Sequence, residues 1–235
     1  MPVSVVIPTL NEEARLGATI DAAFAAGAAE VIVADGGSSD ATVAIAQSRG
    51  ARVLRVVRAS GALTEGAPEA RTTPRASQLN AGAREAKHDA VIFLHADTFL
   101  PEGACKAIES AMKAGVVFGG FRIAFIEDGL RVVAALINAR TRLTRKPWGD
   151  QAQFVARDAF LRAGGYRELP IMEDYELARR MKRIGRTAML PLAVRTSGRR
   201  FRELGSFRTA ALNWWIIACY HAGVSPERLA RWYRG

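Results

Sequence analysis

Short apolar runs alternate with longer polar stretches through the first hundred residues. Each run is rich in β-branched residues and apolar on both faces, which predicts buried parallel strands at residues 3–8, 30–35, 51–57 and 90–97. The stretches between them predict helices at residues 12–26, 41–49 and 77–86. Alternation of this kind is typical of βαβ units, so the chain is predicted to be an α/β protein with a doubly wound sheet.

The second half of the chain continues the mixture of strands and helices. The stretch VVFGGFRIAF (116–125) predicts a strand in which Gly119 and Gly120 indicate a bulge or a close backbone approach. Residues 129–143 predict a helix with several arginines, and the last thirty residues predict further helices whose adjacent tryptophans we interpret as packing residues. The buried face of these last helices is expected to include Phe207, Leu212, Trp215 and Ile216.

One predicted helix, within PIMEDYELARRMKRIGR (170–186), opens with two carboxylates, Glu173 and Asp174. Acidic side chains suit a helix N-terminus because they interact favourably with the helix dipole, so capping alone would explain the pair. Gly185 stands where the helix is expected to stop. The residues at one-face spacing are Leu177, Ala178, Met181 and Ile184.

Composition describes an ordinary globular chain of 235 residues, 49% hydrophobic and 24% charged. Cys105 and Cys219 lie far apart in apolar segments without metal-ligand spacing, which favours a reducing cytoplasm. No signal-peptide pattern is recognisable at the N-terminus, and the longest apolar run near the end is too short to span a bilayer. We therefore expect a cytoplasmic protein.

Charge divides the chain into two unequal halves. Residues 1–120 hold 11 Lys and Arg against 13 Asp and Glu, a net charge of −2. Residues 121–235 hold 22 against 10, a net charge of +12. A basic half implies an anionic partner, which on charge alone could be nucleotide phosphate, a phosphorylated substrate, nucleic acid or anionic lipid.

Polar residues follow three of the predicted strands. Asn11 and Glu12 follow the first strand, Asp35 ends the second and Asp97 ends the fourth. Ligands of open α/β sheets bind beyond the carboxyl ends of the strands, so three polar strand ends at one edge favour a binding site over helix capping. Asp40, in GGSSDAT, is by contrast interpreted as a cap of the helix that follows.

Five carboxylates could divide the work of a transfer reaction between them: Asp35, Asp97, Asp150, Glu173 and Asp174. A carboxylate at a strand end can hold a base or ribose, another can ligate a divalent cation on a diphosphate, and a third can remove a hydroxyl proton. Forked donors for phosphate oxygens are available from Arg75, Arg199 and Arg200. These parts fit the transfer of a group away from a nucleoside diphosphate.

Other kinds of site have little support in the sequence. The three histidines show no metal-ligand spacing, and neither a phosphate-binding loop nor a dinucleotide-binding glycine motif follows the first strand. The Gly-, Pro- and Thr-rich segment 60–74 reads as a loop, either mobile or closing over a ligand.

Six segments in order resemble the family 2 glycosyltransferases of GT-A fold: VSVVIPTLNEEARL, VIVADGGSSDAT, RASQLNAGA, FLHADT, WGDQAQFV and MEDYELARRMKRIGR. The chain is most similar to compact bacterial members, some of them assigned to arsenosugar biosynthesis. The resemblance implies a Rossmann-like, mostly parallel sheet flanked by helices, in one domain over residues 1–235. It also implies three parts, a nucleotide-binding half (1–100), an acceptor and catalytic half (101–200) and C-terminal helices (201–235).

On the donor side, the resemblance implies transfer of a sugar from a nucleotide-sugar, expected to be a UDP-sugar, with a divalent metal, Mg²⁺ or Mn²⁺. The nucleotide-binding residues that it implies are Pro8, Asn11, Glu12, Asp35, Arg75, Asp97, Arg199 and Arg200. Asp97 matches the last carboxylate of the family's Asp-x-Asp motif and would ligate the metal. His95 stands in place of the first Asp, so the metal surroundings lose one carboxylate.

On the acceptor side, the resemblance implies an inverting transfer with Asp174 as the base and Glu173 as its catalytic neighbour. The residues implied to face the acceptor are Trp148, Gly149, Asp150 and Gln151. The acceptor itself is open and is expected to be either lipid-linked or a small metabolite, with contact to the inner face of the cytoplasmic membrane compatible with either.

Two other functions are kept as alternatives. A sugar-phosphate nucleotidyltransferase would carry a glycine-rich basic loop after the first strand, where this chain has the acidic TLNEEARL. A non-catalytic protein could bind nucleic acid or anionic membrane through residues 179–208, which hold ten Lys and Arg against one acid. That window has no recognised nucleic-acid motif, so nucleic acid is not an expected partner.

Overall fold

The computed structural model of the protein describes residues 1–56 and 73–234. Within these residues one sheet contains eight strands, Val3–Thr9 (β1), Glu30–Asp35 (β2), Arg52–Arg55 (β3), Ala90–Phe93 (β4), Thr98–Phe99 (β5), Val116–Phe125 (β6), Phe154–Ala156 (β7) and Arg186–Thr196 (β8). The α-helices are Glu13–Ala25 (α1), Thr42–Ser48 (α2), Arg75–Glu85 (α3), Ala104–Lys113 (α4), Arg131–Thr144 (α5), Arg157–Arg162 (α6), Glu173–Ile184 (α7), Arg199–Leu204 (α8), Ser206–His221 (α9) and Pro226–Arg234 (α10).

The sheet has the order β3-β2-β1-β4-β7-β6-β8-β5. The four strands from β3 to β4 run parallel, and β7 is antiparallel to both of its neighbours, β4 and β6. Beyond it, β6 and β8 are parallel and β5 is antiparallel to β8. This mixed, mostly parallel sheet flanked by helices confirms the predicted fold class.

The two faces of the central strands enter two separate hydrophobic cores. Val5 and Ile7 of β1 pack in one core with Leu16 of α1, whereas Val6 packs in the other with Leu79 of α3. All of these side chains are at most 4% exposed. Complete burial of such a side chain stabilises the fold by roughly 1.5–3 kcal/mol, which is why the strand runs are apolar throughout instead of alternating.

Strand and helix boundaries differ from the prediction at a few places. The strand predicted at 90–97 ends at Phe93, because the chain turns through His95 and Asp97 before β5. The helix predicted from residue 77 begins at Arg75, directly after Pro74, whose extended backbone suits a position before a helix. Of the predicted loop at 60–74, residues 60–72 lie outside the described part of the chain.

The two glycines of β6 allow a close backbone approach, as predicted. A Cβ atom on Gly119 would lie 2.2 Å from the carbonyl oxygen of Ala188, and one on Gly120 would lie 2.6 Å from Cβ of Pro147. The ladder between β6 and β8 shifts register on either side of this pair. The segment after α5 is therefore seated against β6, close to the edge where the candidate site lies.

The expected packing of the last helices is partly wrong. Ile216 is buried and Leu212 packs beside it, but Phe207 is 88% exposed and Trp215 is 60% exposed. The neighbouring Trp214 is 61% exposed, so the tryptophan pair is not a packing pair. The reason is that α9 buries only a narrow face, with Thr209, Ile216 and Cys219, against the other described residues.

The helix that opens with the two carboxylates starts at Glu173 and ends before Gly185, as predicted. Leu177, Ala178 and Met181 are fully buried, but Ile184, in the last turn, is 49% exposed. Among the helices of residues 1–56 and 73–234, none combines the length and apolar character needed to cross a bilayer.

Candidate functional site

The carboxyl ends of β1 and β2 meet at one edge of the sheet. Pro8 is buried in β1 opposite Ala34, and Asp35 is buried at the end of β2. The Asp35 carboxylate accepts hydrogen bonds from the backbone N–H groups of Gly37, at 3.1 Å, and Ser38, at 3.1 and 3.2 Å. Asp35 therefore shapes the turn after β2, and its predicted contact with a nucleotide stays a prediction.

The turn between β1 and α1 is fixed against the turn after β2. Asn11 has a left-handed backbone (φ 56°), and its side-chain oxygen accepts the N–H of Ser39 at 2.8 Å. The N–H of Glu12 donates to the Thr42 hydroxyl at 2.7 Å. Burial and the nearby charge of Asp97 raise the pKa of Glu12. The Thr19 hydroxyl of α1 donates to the carbonyl of Ala96 at 2.6 Å, which holds α1 against the turn that carries Asp97.

Asp97 lies at the edge of a large open cavity of about 920 Å³. Its side chain is 28% exposed, and its nearest cation in the described residues is Arg15, at 3.7 Å. Arg199 and Arg200 at the start of α8 line the same cavity. A carboxylate and two guanidinium groups thus face one solvent-accessible space.

Asp97 could bind a hard divalent cation together with a phosphate-bearing ligand. Within residues 1–56 and 73–234, no group of three His, Cys, Asp or Glu side chains is placed to enclose an ion. Asp97 offers one accessible carboxylate, and Mg²⁺ is usually bound by one or two carboxylates together with substrate phosphates. Carboxylate ligands also suit Mn²⁺. Asp97 therefore fits a cation shared with a phosphate-bearing ligand.

His95, which replaces a carboxylate of the expected motif, faces inward. Burial, with a further contribution from the Arg75 cation, lowers the pKa of His95 to about 3. The imidazole is therefore neutral at physiological pH. Its ring lies against Gly149, where a Cβ atom would come within 2.8 Å of Nε2, so residue 149 has no room for a side chain.

The two carboxylates at the start of α7 have different partners. Glu173 is buried and accepts hydrogen bonds from the guanidinium of Arg75, at 2.8 Å from Nε. Burial raises the pKa of Glu173. Asp174 instead accepts the backbone N–H groups of Gly149 and Tyr175, both at 2.6 Å. Glu173 thus holds Arg75, whereas Asp174 belongs to the segment around Gly149.

That segment is a 3₁₀ turn at Gly149–Gln151, and the side chain of its last residue, Gln151, anchors it to the rest of the fold. The Gln151 side chain is buried, accepts the Thr141 hydroxyl at 2.9 Å and donates to the carbonyl of Phe121 at 3.1 Å. It also accepts the backbone N–H of Trp148 at 3.2 Å. Gln151 is therefore a structural support of the turn, and any contact with an acceptor remains a prediction for it.

Arg140 of α5 is a site residue that the sequence did not reveal. Its guanidinium lies 3.5 Å over the ring of Trp148 and donates to Oε1 of Gln151 at 3.3 Å. Burial lowers the pKa of Arg140 to about 10, while the charges of Asp150 and Asp174 act in the opposite direction. Nothing in the sequence separates Arg140 from the other arginines of α5.

Asp150 has a buried carboxylate oxygen, Oδ1, that finds no hydrogen-bond partner among residues 1–56 and 73–234. Burial raises the pKa of Asp150 to about 6, Arg140 lowers it, and the charges of Asp174 and Asp97 raise it further. Asp150 therefore lies within electrostatic range of both the expected base and the expected metal ligand. Asp150 is thus affected by charges on both the donor side (Asp97) and the acceptor side (Asp174) of the candidate site.

Replacing Asp150 by Asn is expected to change how stability depends on pH. The folded-state pKa of about 6 lies above the ordinary value of 3.8, so ionisation of Asp150 costs folded-state stability as pH rises from about 4 to above 6. Asn cannot ionise. Relative to wild type, the variant should gain about 2–3 kcal/mol between pH 4 and pH 7.5 in urea unfolding. An equal difference at both pH values would contradict the shift.

Replacing Arg140 by Met is expected to destabilise the fold more at pH 7.5 than at pH 5. The change removes the cation that faces Asp150 and Asp174, at a cost of about 3 kcal/mol at the higher pH. At pH 5 the Asp150 carboxyl is mostly protonated and needs the cation less. Urea unfolding checks this, with the exposed Arg142→Met on the same helix as the control; equal loss in both variants would contradict it.

Comparison with known proteins agrees with this architecture. A model of the family described as Glycosyl transferase family 2 matches residues 4–167. The match ends before α7, which starts at Glu173, so it does not include Glu173 and Asp174. No curated protein sequence matches the chain.

Several solved structures resemble the chain in fold. Residues 1–349 of S. aureus TarS superpose with a TM-score of 0.64 at 15% identity, over 90% of this chain and 65% of that chain. Glucosyl-3-phosphoglycerate synthase from Mycobacterium tuberculosis, solved with Mn²⁺, UDP and glucosyl-3-phosphoglycerate, gives 0.54 at 21%, over 87% and 75%. The mannosyltransferase PcManGT from Pyrobaculum calidifontis, solved with GDP-Man and Mn²⁺, gives 0.60 at 17%, over 83% and 56%.

The likeness at these identities establishes the fold. This chain spans 65%, 40% and 56% of the length of three TarS structures that it matches. The GT-A architecture expected from the six sequence segments is thereby confirmed.

Proposed function

The chain belongs to glycosyl transferase family 2, and we propose that it transfers a sugar from a nucleotide-sugar to an acceptor hydroxyl. We take the donor to be a UDP-sugar. The observation that carries the proposal is a carboxylate, Asp97, in one cavity with two arginines, in a chain whose second carboxylate, Asp174, is fixed at the start of α7. One carboxylate faces a cavity lined by arginines, and the other is held at a helix N-terminus by Gly149.

The arginine-lined cavity supports the donor half of the proposal. Arg199 and Arg200 both line the space that Asp97 borders, and guanidinium groups are donors that match phosphate oxygens. Arg199 is exposed, whereas Arg200 also donates to the carbonyl of Tyr233. Structures of similar fold contain UDP-GlcNAc, UDP or GDP-Man. In our proposal the diphosphate lies between these arginines and Asp97, and the polar ends of β1 and β2 contact the nucleoside.

Mg²⁺ or Mn²⁺ would be held by Asp97 together with the diphosphate of the donor. When bound, such a cation neutralises negative charge on the departing diphosphate. Two of the similar structures were solved with Mn²⁺. The neutral His95 stands where the family motif has a carboxylate, so Asp97 is the one carboxylate that the motif offers here. In this proposal the cation therefore takes most of its ligands from the nucleotide and from water.

Asp174 is proposed as the base of an inverting single displacement. Its carboxylate lies at the N-terminus of α7, where two backbone N–H groups donate to it and fix its orientation. Asp174 takes the proton of the acceptor hydroxyl, whose oxygen forms a bond to the anomeric carbon as the bond to the diphosphate oxygen breaks. Glu173 is proposed to hold Arg75 in place beside this centre.

The acceptor would reach Asp174 past Trp148 and Asp150. The unpartnered Oδ1 of Asp150 is a hydrogen-bond acceptor in a buried position, and Trp148, stacked beneath Arg140, offers a half-buried ring. We place the reaction in the cytoplasm, because both cysteines are free and buried, as is usual in a reducing compartment. The proposal includes peripheral contact of the protein with the inner face of the cytoplasmic membrane.

Melting temperatures test the donor half directly. UDP, GDP and ATP are each added with and without Mn²⁺. A nucleotide at 100 times its Kd stabilises the folded state by about 2.7 kcal/mol, which is several degrees for a chain of this size. We expect a UDP shift that needs Mn²⁺; a GDP-only shift would change the donor. A shift with ATP, followed by pyrophosphate release from a nucleoside triphosphate and a sugar phosphate, would replace the proposal by the nucleotidyltransferase alternative.

A further inference from the structure

The cavity beside Asp97 extends well beyond the space that a diphosphate would need. From Asp97 and the two arginines of α8 it continues along α8, α9 and α10. The apolar part of its lining there includes Leu204, Phe207, Trp215 and Trp232, and the polar side chains of Glu203, Arg208 and Thr209 lie among them. Charged groups and large aromatic rings in one lining make the cavity amphipathic.

The apolar wall is unusually exposed. Phe207 is 88% exposed, Trp215 is 60% exposed and Trp232 is 43% exposed. Large apolar side chains grouped in this way mark a binding surface more often than chance, because leaving them in water forgoes the free energy of their burial. The exposed face of α9 is therefore a ready surface for an apolar ligand.

Tyr233 joins this wall to Arg200 of α8. Its ring lies 3.6 Å from the guanidinium of Arg200, and its carbonyl accepts a hydrogen bond from Arg200 at 2.6 Å. Burial raises the pKa of Tyr233, and the charges of Asp150 and Asp174 raise it further. Tyr233 thus lines the cavity while packing against one of its two arginines.

We propose that the acceptor is an amphiphile, with its hydroxyl-bearing head toward Asp174 and an apolar chain along Phe207, Trp215 and Trp232. This inference rests on the proposed function, since it names the substrate class of the same site. An apolar chain fits better than a second stretch of glycan. Aromatic rings can stack on sugars, and Glu203, Arg208 and Thr209 of the same lining offer hydrogen-bonding groups. The two most exposed side chains of the wall, Phe207 and Trp215, are largely apolar, and an alkyl chain would bury more of their surface than a hydrated glycan would.

Alkyl maltosides test the chain without committing to a natural head group. Binding of maltose and of octyl, decyl and dodecyl maltoside is measured by isothermal titration calorimetry, each below its critical micelle concentration. Burial of one methylene is worth up to about a fourfold change in affinity, so partial burial should give about a two- to fourfold gain per methylene. Maltose itself should bind at least a hundredfold more weakly than decyl maltoside.

Two adjacent tryptophans supply a matched pair of variants. Trp215 lines the cavity and Trp214 does not, although both are about equally exposed on α9. Trp215→Gln should weaken decyl maltoside binding at least fivefold, and Trp214→Gln should leave it within twofold. Equal weakening in both variants would overturn the inference in favour of general adsorption to the helix surface.

Affinity that does not depend on chain length would also overturn the inference, because maltose and its alkyl derivatives would then bind through the sugar alone. The UDP shift with Mn²⁺, measured on the same preparations, separates the two proposals. If the shift is present and the chain-length effect is absent, the amphiphilic acceptor fails and the transferase stands. If wild type shows no nucleotide shift, the transferase proposal fails whatever the maltosides do.

Discussion

Replacing Asp174 by Asn is expected to lower kcat by about 10²–10⁴-fold, the usual effect of losing a general base, while UDP affinity stays within about threefold. The carboxylate accepts two backbone N–H groups, from Gly149 and Tyr175, and an amide oxygen can replace only one of these acceptors. A loss of about 1–2 kcal/mol in unfolding free energy is therefore expected as well. Steady-state turnover and urea unfolding on the same samples check both effects.

Glu176 supplies the matched control for Asp174. It is a buried carboxylate in the first turn of the same helix, where it pairs with Arg180. Glu176→Gln should destabilise the fold by at least as much but leave kcat of the folded enzyme within about threefold. If Asp174→Asn loses turnover only in proportion to folded protein, or loses UDP binding to the same extent, Asp174 is a helix cap and not the base.

Replacing Asp97 by Asn is expected to lower UDP affinity at least tenfold in the presence of Mn²⁺ and hardly at all in its absence, a difference of about 1.4 kcal/mol or more. The stability of the free protein should change by less than about 0.5 kcal/mol. Loss of the half-exposed pair with Arg15 is offset, because the charge of Asp97 also opposes ionisation of Glu12 and Asp150.

Asp21→Asn is the control for Asp97, since Asp21 is also a partly exposed carboxylate paired with an arginine, Arg49, but lies on α1 away from the cavity. It should leave UDP affinity unchanged with and without Mn²⁺. A metal-independent loss of affinity in Asp97→Asn, equal in both conditions, would remove Asp97 from the metal site and leave it a direct nucleotide contact.

The sequence predicted the central strands correctly, because these strands are buried on both faces of the sheet. Val5, Val6 and Ile7 alternate between two cores, so the apolar run could only be an interior strand. The close approach at Gly119 was likewise predictable, because a strand glycine next to a partner backbone needs the missing side chain.

The parts that could not be predicted depend on the direction of single side chains. Glu173 and Asp174 are adjacent in sequence, yet one is held by Arg75 and the other by the backbone of Gly149. Arg140 is one arginine among several on α5, and only the tertiary structure places it over Trp148. The exposure of Phe207 could not be foreseen either, because helical periodicity does not tell which apolar face finds a partner.

Proton NMR of nucleotide-sugar turnover tests the central claim most directly. Wild type with Mn²⁺ is followed over time against UDP- and GDP-sugars, with water as the acceptor when no other is supplied. We expect release of the nucleoside diphosphate, with the sugar appearing first in the anomeric configuration opposite to that of the donor, at a rate that falls at least a hundredfold in Asp174→Asn. Product of retained configuration would contradict the single displacement, and no release from any donor would contradict the transferase itself.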